Sequence, residues 1–277
     1  MRVLMKPLVL LPLFLSAAAH AATIYEWTFD SGNLSTAAGN GTMTTAGAGT
    51  PGSLSYSTTN GGSVPHIAGV TASYLSVPAL PTGTNGLLLS FDDSGPNGGG
   101  AYLNQYTLLM DIYSPGAAGW QALMNTDTTN SNDADWYISS TGQSGIGALG
   151  YSAAGAFTQN AWHRIAVSAD LTAGTVRYYI DGVLAFTRTG TSLADGRFAL
   201  FSNADAGADL LLFNEGDTSG TYTHPLLVNS IAFTDEALSP AAIQSLGGPS
   251  ANGIFVPEPS SALLGGLAAL ALLRRRR

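Results

Sequence analysis

Along residues 160–187, apolar and polar side chains alternate with a period of two. Ile165, Val167 and Ala169 interleave with Arg164, Ala166 and Ser168, and Val176, Tyr178 and Ile180 interleave with Arg177 and Tyr179. Successive side chains of a strand point to opposite faces, so this pattern predicts half-buried strands with one face packed and the other wet. Asp181-Gly182 separates the second run from Val183–Thr187. A two-residue Asp-Gly link suits a type I′ hairpin, because both positions need positive φ. Three consecutive antiparallel strands are therefore predicted. Shorter runs predict further strands at 23–29, 74–77, 86–91, 106–113, 120–124, 136–138, 146–149, 198–201, 210–213 and 226–233. The stretch 32–62 is rich in Gly, Ser, Thr and Ala, buries little apolar area, and is assigned to loops and short edge strands. One helix is predicted over 239–246: Ser239 caps it, Pro240 takes the first helical position, Leu238 staples onto Ile243, and Gly247-Gly248 ends it. Many short strands with one late helix argue for an all-β, two-sheet antiparallel sandwich.

The two ends have a different character. Met1–Lys6 is basic, Pro7–Leu15 is apolar, and Ala19-His20-Ala21 has the small-x-small form of a signal-peptidase site, so residues 1–21 are expected to be removed on export. The alternative, a buried N-terminal helix, would place Pro7 and Pro12 inside it and leave it no polar face. At the other end, Val256-Pro257-Glu258-Pro259 precedes an apolar run from Ala262 to Leu273 and then Arg274–Arg277. Twelve apolar residues make roughly 18 Å of helix against about 30 Å of hydrocarbon, which suits transient insertion in the inner membrane. The arginines would stay cytoplasmic by the positive-inside rule. Pro257, Glu258 and Pro259, the short helix (260–273) and the basic tail (274–277) resemble the PEP-CTERM sorting signal of Gram-negative bacteria. The resemblance covers 256–277 and implies recognition and trimming by an exosortase, with release to the cell surface or its extracellular polysaccharide matrix. A plain membrane anchor is the alternative. The expected layout is a signal peptide (1–21), one domain (22–250) and a sorting segment (251–277).

Without its ends the chain keeps four arginines and no lysine against seventeen acids, a net charge of −13. Such a surface repels phosphate backbones, so nucleic acid is excluded as a partner. There is no cysteine, so the core must hold the fold unaided. A domain of roughly 230 residues can bury about 70% of its unfolded surface, so it needs no covalent staple.

Trp162-His-Arg-Ile-Ala-Val167 followed by Tyr178-Tyr-Ile-Asp-Gly182 resembles the central motif of laminin-G-like, concanavalin A-like jelly-roll domains. Tyr25–Asp30 is similar to their first strand and Val228–Ser239 to their last strand and closing helix. The resemblance spans about 23–248 and implies the fold rather than an activity, since lectins, adhesion modules and polysaccharide-cleaving enzymes share it.

Glycoside cleavage on such a sheet needs two carboxylates about 5 to 9 Å apart, delivered from one face of a strand. The body holds three glutamates, Glu26, Glu215 and Glu236, each in a separate segment, and Asp111 stands among apolar neighbours, so no such pair is seen. A lyase cluster could be assembled from His163, Arg164, Tyr178 and Tyr179, but His163 reads better as structural. No catalytic residue is assigned, and the protein is expected not to be an enzyme. Oxygen-rich loops suit calcium, which takes six to eight such ligands. Candidates are Asp127, Asn130, Asn132, Asp133 and Asp135, then Asp205 and Asp209, then Asn214, Glu215 and Asp217. The resemblance implies a further site between Asp30 and the last strand, where Asn229 stands in place of the family's usual Asp. An ion held at about 10 μM in millimolar calcium would add roughly 2.7 kcal/mol. Trp120, Trp136, Tyr137 and Tyr151 are candidates for stacking on sugar rings, against the alternative that they are core. The expectation is a non-catalytic module that binds carbohydrate or another extracellular partner. A purely structural matrix component is the alternative, and a lyase or glycosidase stands last.

Overall fold

A computed structural model describes residues 24–50, 52–90, 96–116, 119–126, 134–146, 149–190, 194–200, 210–216 and 222–255. The elements are β1 (Ile24–Trp27), β2 (Thr42–Ala46), β3 (Ser55–Thr58), β4 (Ser73–Val77), β5 (Gly86–Ser90), β6 (Gln105–Tyr113), β7 (Trp120–Asn125) and β8 (Asp135–Ser139). They continue with β9 (Ser144–Ile146), β10 (Gly150–Tyr151), β11 (Trp162–Asp170), β12 (Thr175–Ile180), β13 (Val183–Thr189), β14 (Leu210–Leu212), β15 (Leu226–Thr234) and α1 (Pro240–Leu246). One antiparallel sheet runs β13-β12-β11-β6-β15-β4-β3, with β1 also paired to β15; the other runs β10-β9-β8-β7-β14-β5-β2. Their facing sides form a jelly-roll sandwich, as expected, and the low-complexity stretch supplies the edge strands β2 and β3.

The predicted meander is β11, β12 and β13, with Ile165 opposite Ile180 and Val167 opposite Tyr178. Asp181 and Gly182 take φ of 52° and 76°, the left-handed pair that the tight turn requires. Helix α1 follows its signals: the Ser239 side chain accepts the Ala242 N–H at 3.1 Å, and Gly247 closes the helix at φ 63°. Two predicted strands differ. The 146–149 run pairs instead over Ser144–Ile146, and of 198–201 the described part makes an isolated bridge between Leu200 and Leu103.

A larger difference concerns the face of the meander expected to be wet. On β6, β11, β12 and β15 the inner side chains, such as Met110, Val167, Tyr178 and Phe233, join the main core. The outer ones, Leu109, Ala166, Tyr179 and Ala232, are also buried, against Ile243 of α1 and Ile254. Both faces are dry because the chain after β15 folds back as a strap. Its polar fastening uses the outer-face residues that the alternation had assigned to solvent. The Thr107 hydroxyl donates to the Glu236 carbonyl at 2.8 Å, and the Ser168 hydroxyl donates to the Leu238 carbonyl at 3.1 Å. Arg164 sits opposite Asp111 and forms a bidentate pair with it, both contacts at 2.7 Å. The same guanidinium donates to the Leu246 and Gly253 carbonyls, and the Ser250 N–H donates to Asp111 at 3.0 Å. The buried Glu26 carboxylate accepts the Ile254 and Phe255 N–H groups. Burial raises the Glu26 pKa, and those backbone donors pull it back. Residues 251–255, assigned from sequence to the sorting segment, are thus part of the packed domain.

Candidate functional site

Sheet pleating sorts the aromatic candidates. In β8 the period of two sends Trp136 and Tyr137 to opposite faces. Trp136 is 0% exposed in the core, its indole N–H donating to Ser144 at 2.8 Å, so it is unavailable as a surface platform. Tyr137 lies in a pairing row with Gly145 and Tyr151 across β8, β9 and β10. Gly145 takes φ 147°, and a Cβ there would fall 2.2 Å from the Gly150 carbonyl, so only glycine lets β10 approach this closely. Trp120, at the start of β7, meets Tyr151 with ring centroids 4.6 Å apart and Tyr137 edge-on at 6.3 Å. Tyr222 adds a further ring, 5.7 Å from Tyr137 at 62°.

Together Trp120, Tyr137, Tyr151, Tyr222 and Glu215 line a cavity of about 340 Å³. That volume is at the lower end of the range of about 300–1,000 Å³ common for small-molecule sites. Glu215 is 4% exposed and accepts the Tyr137 hydroxyl at 2.6 Å. The Asn125 amide, beside them, donates to Asp135 at 2.9 Å and to the Glu215 backbone carbonyl. Burial, then the Glu215 hydrogen bond and the charges of Asp135 and Glu215, hold the Tyr137 phenol well above its usual range. The phenol is therefore a fixed donor. Tyr222 and Asn125 were missed from sequence: Tyr222 lies in a polar loop with no periodicity and reaches the site because its carbonyl accepts the Ala122 N–H at 2.7 Å.

The expected calcium ligands fall in separate places. Glu215 lines the aromatic cavity, and Asp135 lies behind it, close enough for its charge to act on the Tyr137 phenol. Asn229 sits at an irregularity in the β15–β6 pairing, buried, its amide donating to the Ser73 carbonyl at 2.7 Å. Asp30 is on the rim of a wider cleft of about 460 Å³ with Thr28, Thr58, Ser73 and Asn252. Among the described residues that cleft has no aromatic lining and no ionisable side chain besides Asp30, so they offer neither stacking nor converging charge. Asp127, Asp133 and Asp217, with Asn130, Asn132, Asp205 and Asp209, lie outside the described residues, as do the leader and Pro257, Glu258 and Pro259. Among the described residues, no group of three His, Cys, Asp or Glu side chains is placed to hold a metal, and no helix is long and apolar enough to cross a membrane.

The lyase cluster does not assemble either. Tyr178 and Tyr179 lie in the separate clusters on the two faces of the sheet, and Arg164 is committed to Asp111. His163 is held between Asp181 and Thr158, each at 2.7 Å, where it orients the hairpin turn.

Two antiparallel sheets with an aromatic cavity on the side of one sheet away from the core define a jelly-roll module with a surface site. The chain belongs to the concanavalin A-like lectin/glucanases superfamily, whose Laminin_G_3 model matches residues 96–244. Among solved structures, the botulinum neurotoxin serotype G binding domain aligns with a TM-score of 0.51 at 12% identity, over 80% of this chain and 50% of that one. The serotype D binding domain aligns at 0.50 and 11% identity, over 81% and 51%. Domain 4 of the Geobacillus stearothermophilus arabinanase AbnA, solved with arabinotriose, aligns at 0.48 and 18%, over 82% of this chain and 100% of that one. The chain thus spans about half of the neurotoxin chains, and the likeness is one of fold. No protein of curated function has a matching sequence.

Proposed function

We propose that this protein is an exported, non-catalytic carbohydrate-binding module displayed at the cell surface or in an extracellular polysaccharide matrix. The observation that carries this reading is the cavity that the rings of Trp120, Tyr137, Tyr151 and Tyr222 form with Glu215. Tyr and Trp faces stack on the apolar faces of sugar rings, and a fixed phenol with a buried carboxylate supplies directional polar contacts for hydroxyls. Tyr137 stands steeply to both Trp120 and Tyr222, which suits a pocket around one sugar unit better than a flat platform along a chain. Among the described residues only Glu215 and Asp135 bring carboxylates to this region, short of the six to eight oxygens that calcium takes, so the reading needs no calcium.

In the same reading, signal peptidase removes 1–21 and an exosortase acts near Pro257–Pro259 after transient membrane insertion. The strap supports such an attachment. It runs over the outer face of the eight-stranded sheet, across the sandwich from the aromatic cavity, so a tether following Phe255 would leave the cavity turned outward. A glycan array probed with the protein, alongside mass spectrometry of the mature product, tests both halves. Saturable binding of a glycan class and a product starting near Ala22 are expected. Absence of any glycan binding would favour a purely structural matrix role, and new reducing ends or unsaturated products would establish an enzyme.

A further inference from the structure

We propose that the aromatic cavity selects sugars carrying a free protonated amine, as in glucosamine units of a deacetylated polysaccharide, over uronic acids. This rests on the reading of the cavity as a sugar site and names its ligand class. The rings of Trp120, Tyr137, Tyr151 and Tyr222 surround a single volume, and the face of each ring is electron-rich. The steep angles, 81° between Trp120 and Tyr137 and 62° between Tyr137 and Tyr222, make walls around that volume rather than one surface. An ammonium group is attracted to such ring faces, most strongly to Trp and more strongly once water is excluded. Glu215 adds a carboxylate to the lining, and Asp135 lies next to it through the shared Asn125 amide. Among the described residues no Lys or Arg lines the cavity, and the imidazole Nε2 of His224 is buried outside it. The domain as a whole carries net charge −13 between its two end segments. An anionic sugar would meet carboxylate repulsion, whereas an amine would meet carboxylates and ring faces together.

The test is isothermal titration of the protein, at mildly acidic pH, with β-1,4-linked glucosamine oligomers, N-acetylglucosamine oligomers of equal length, and oligogalacturonate. The amine form should bind at least roughly ten-fold more tightly than the acetylated form, and the uronate should not saturate. Glu215→Gln should bring the ratio of the first two affinities to about one whatever the change in absolute affinity, and a melting midpoint like that of the unaltered protein checks that the domain is still folded. Asp135→Asn should reduce the preference in the same direction. Added salt should weaken the amine form selectively. Equal affinity for charged and neutral oligomers, unaffected by Glu215→Gln, would overturn the amine preference and leave the sugar-binding reading in place. Saturable binding by none of the three would overturn both.

Discussion

Replacing Arg164 by alanine removes a side chain that ties the eight-stranded sheet to the strap at both Leu246 and Gly253. Arg164 and Asp111 are 3% and 0% exposed, joined by two 2.7 Å contacts. In Arg164→Ala, Asp111 keeps the Ser250 N–H but loses its counter-charge, and the Leu246 and Gly253 carbonyls lose their donor. Breaking a buried pair by deleting one partner costs about 3–5 kcal/mol, a large share of the roughly 5–15 kcal/mol that holds a domain together. At about 2–4 °C per kcal/mol for a domain of this size, the melting midpoint should fall by about 6–20 °C. Protease sensitivity should rise first around residues 248–255, because opening the strap exposes Leu109, Ala166, Tyr179 and Ala232. The double variant Arg164→Met, Asp111→Leu should recover much of the loss, since no charge is then buried alone. Calorimetry on Arg164→Met, Asp111→Leu and the double closes a thermodynamic cycle. A loss under about 1 kcal/mol in Arg164→Ala, or a double variant as damaged as the sum of the singles, would refute the clasp.

Three further outcomes are expected. Trp120→Ala should weaken glycan binding by roughly ten-fold or more with little change in melting, whereas Trp136→Ala should cost about 3–5 kcal/mol of stability because that ring fills the core; calorimetry and glycan titration on both variants separate the roles. Burial raises the Glu26 pKa above 4.5, so the folded state holds this proton more tightly and stability falls as pH rises from there to the folded value; Glu26→Gln should flatten that slope in chemical denaturation series, and an unchanged slope would contradict the burial argument. Chelating calcium should leave both the melting midpoint and the glycan affinity unchanged, and a chelator-sensitive midpoint would restore a calcium site to the account.

The sandwich was legible because strand alternation, the Asp-Gly turn and the helix caps are local signals, each carried by a few adjacent residues. The outer face of the eight-stranded sheet was not. Arg164 and Ser168 look like solvent-facing positions beside Ile165 and Val167, and the strap that covers them comes from residues 235–255. Asp111, isolated in an apolar strand, carried the available hint, since a buried carboxylate needs a cation or donors nearby. At the site, Trp120, Tyr137 and Tyr151 were found as a type of residue near polar loops, and Trp136 was grouped with them because adjacency in sequence hides the opposite pleat of neighbouring positions. Glu215 reads from sequence as a candidate calcium ligand, and the fold adds that it accepts the Tyr137 hydroxyl. Tyr222 gave no signal, because it is placed by a backbone bond to β7 rather than by its own surroundings.

The central claim is a non-catalytic sugar pocket on the outside of the seven-stranded sheet. A crystal structure of the protein soaked with an oligosaccharide selected from the array tests it most directly. The account predicts an intact oligosaccharide with one ring seated among Trp120, Tyr137, Tyr151 and Tyr222, within hydrogen-bonding reach of Glu215 or Tyr137. Density for cleaved products there, or for sugar bound elsewhere with this cavity empty, would contradict it.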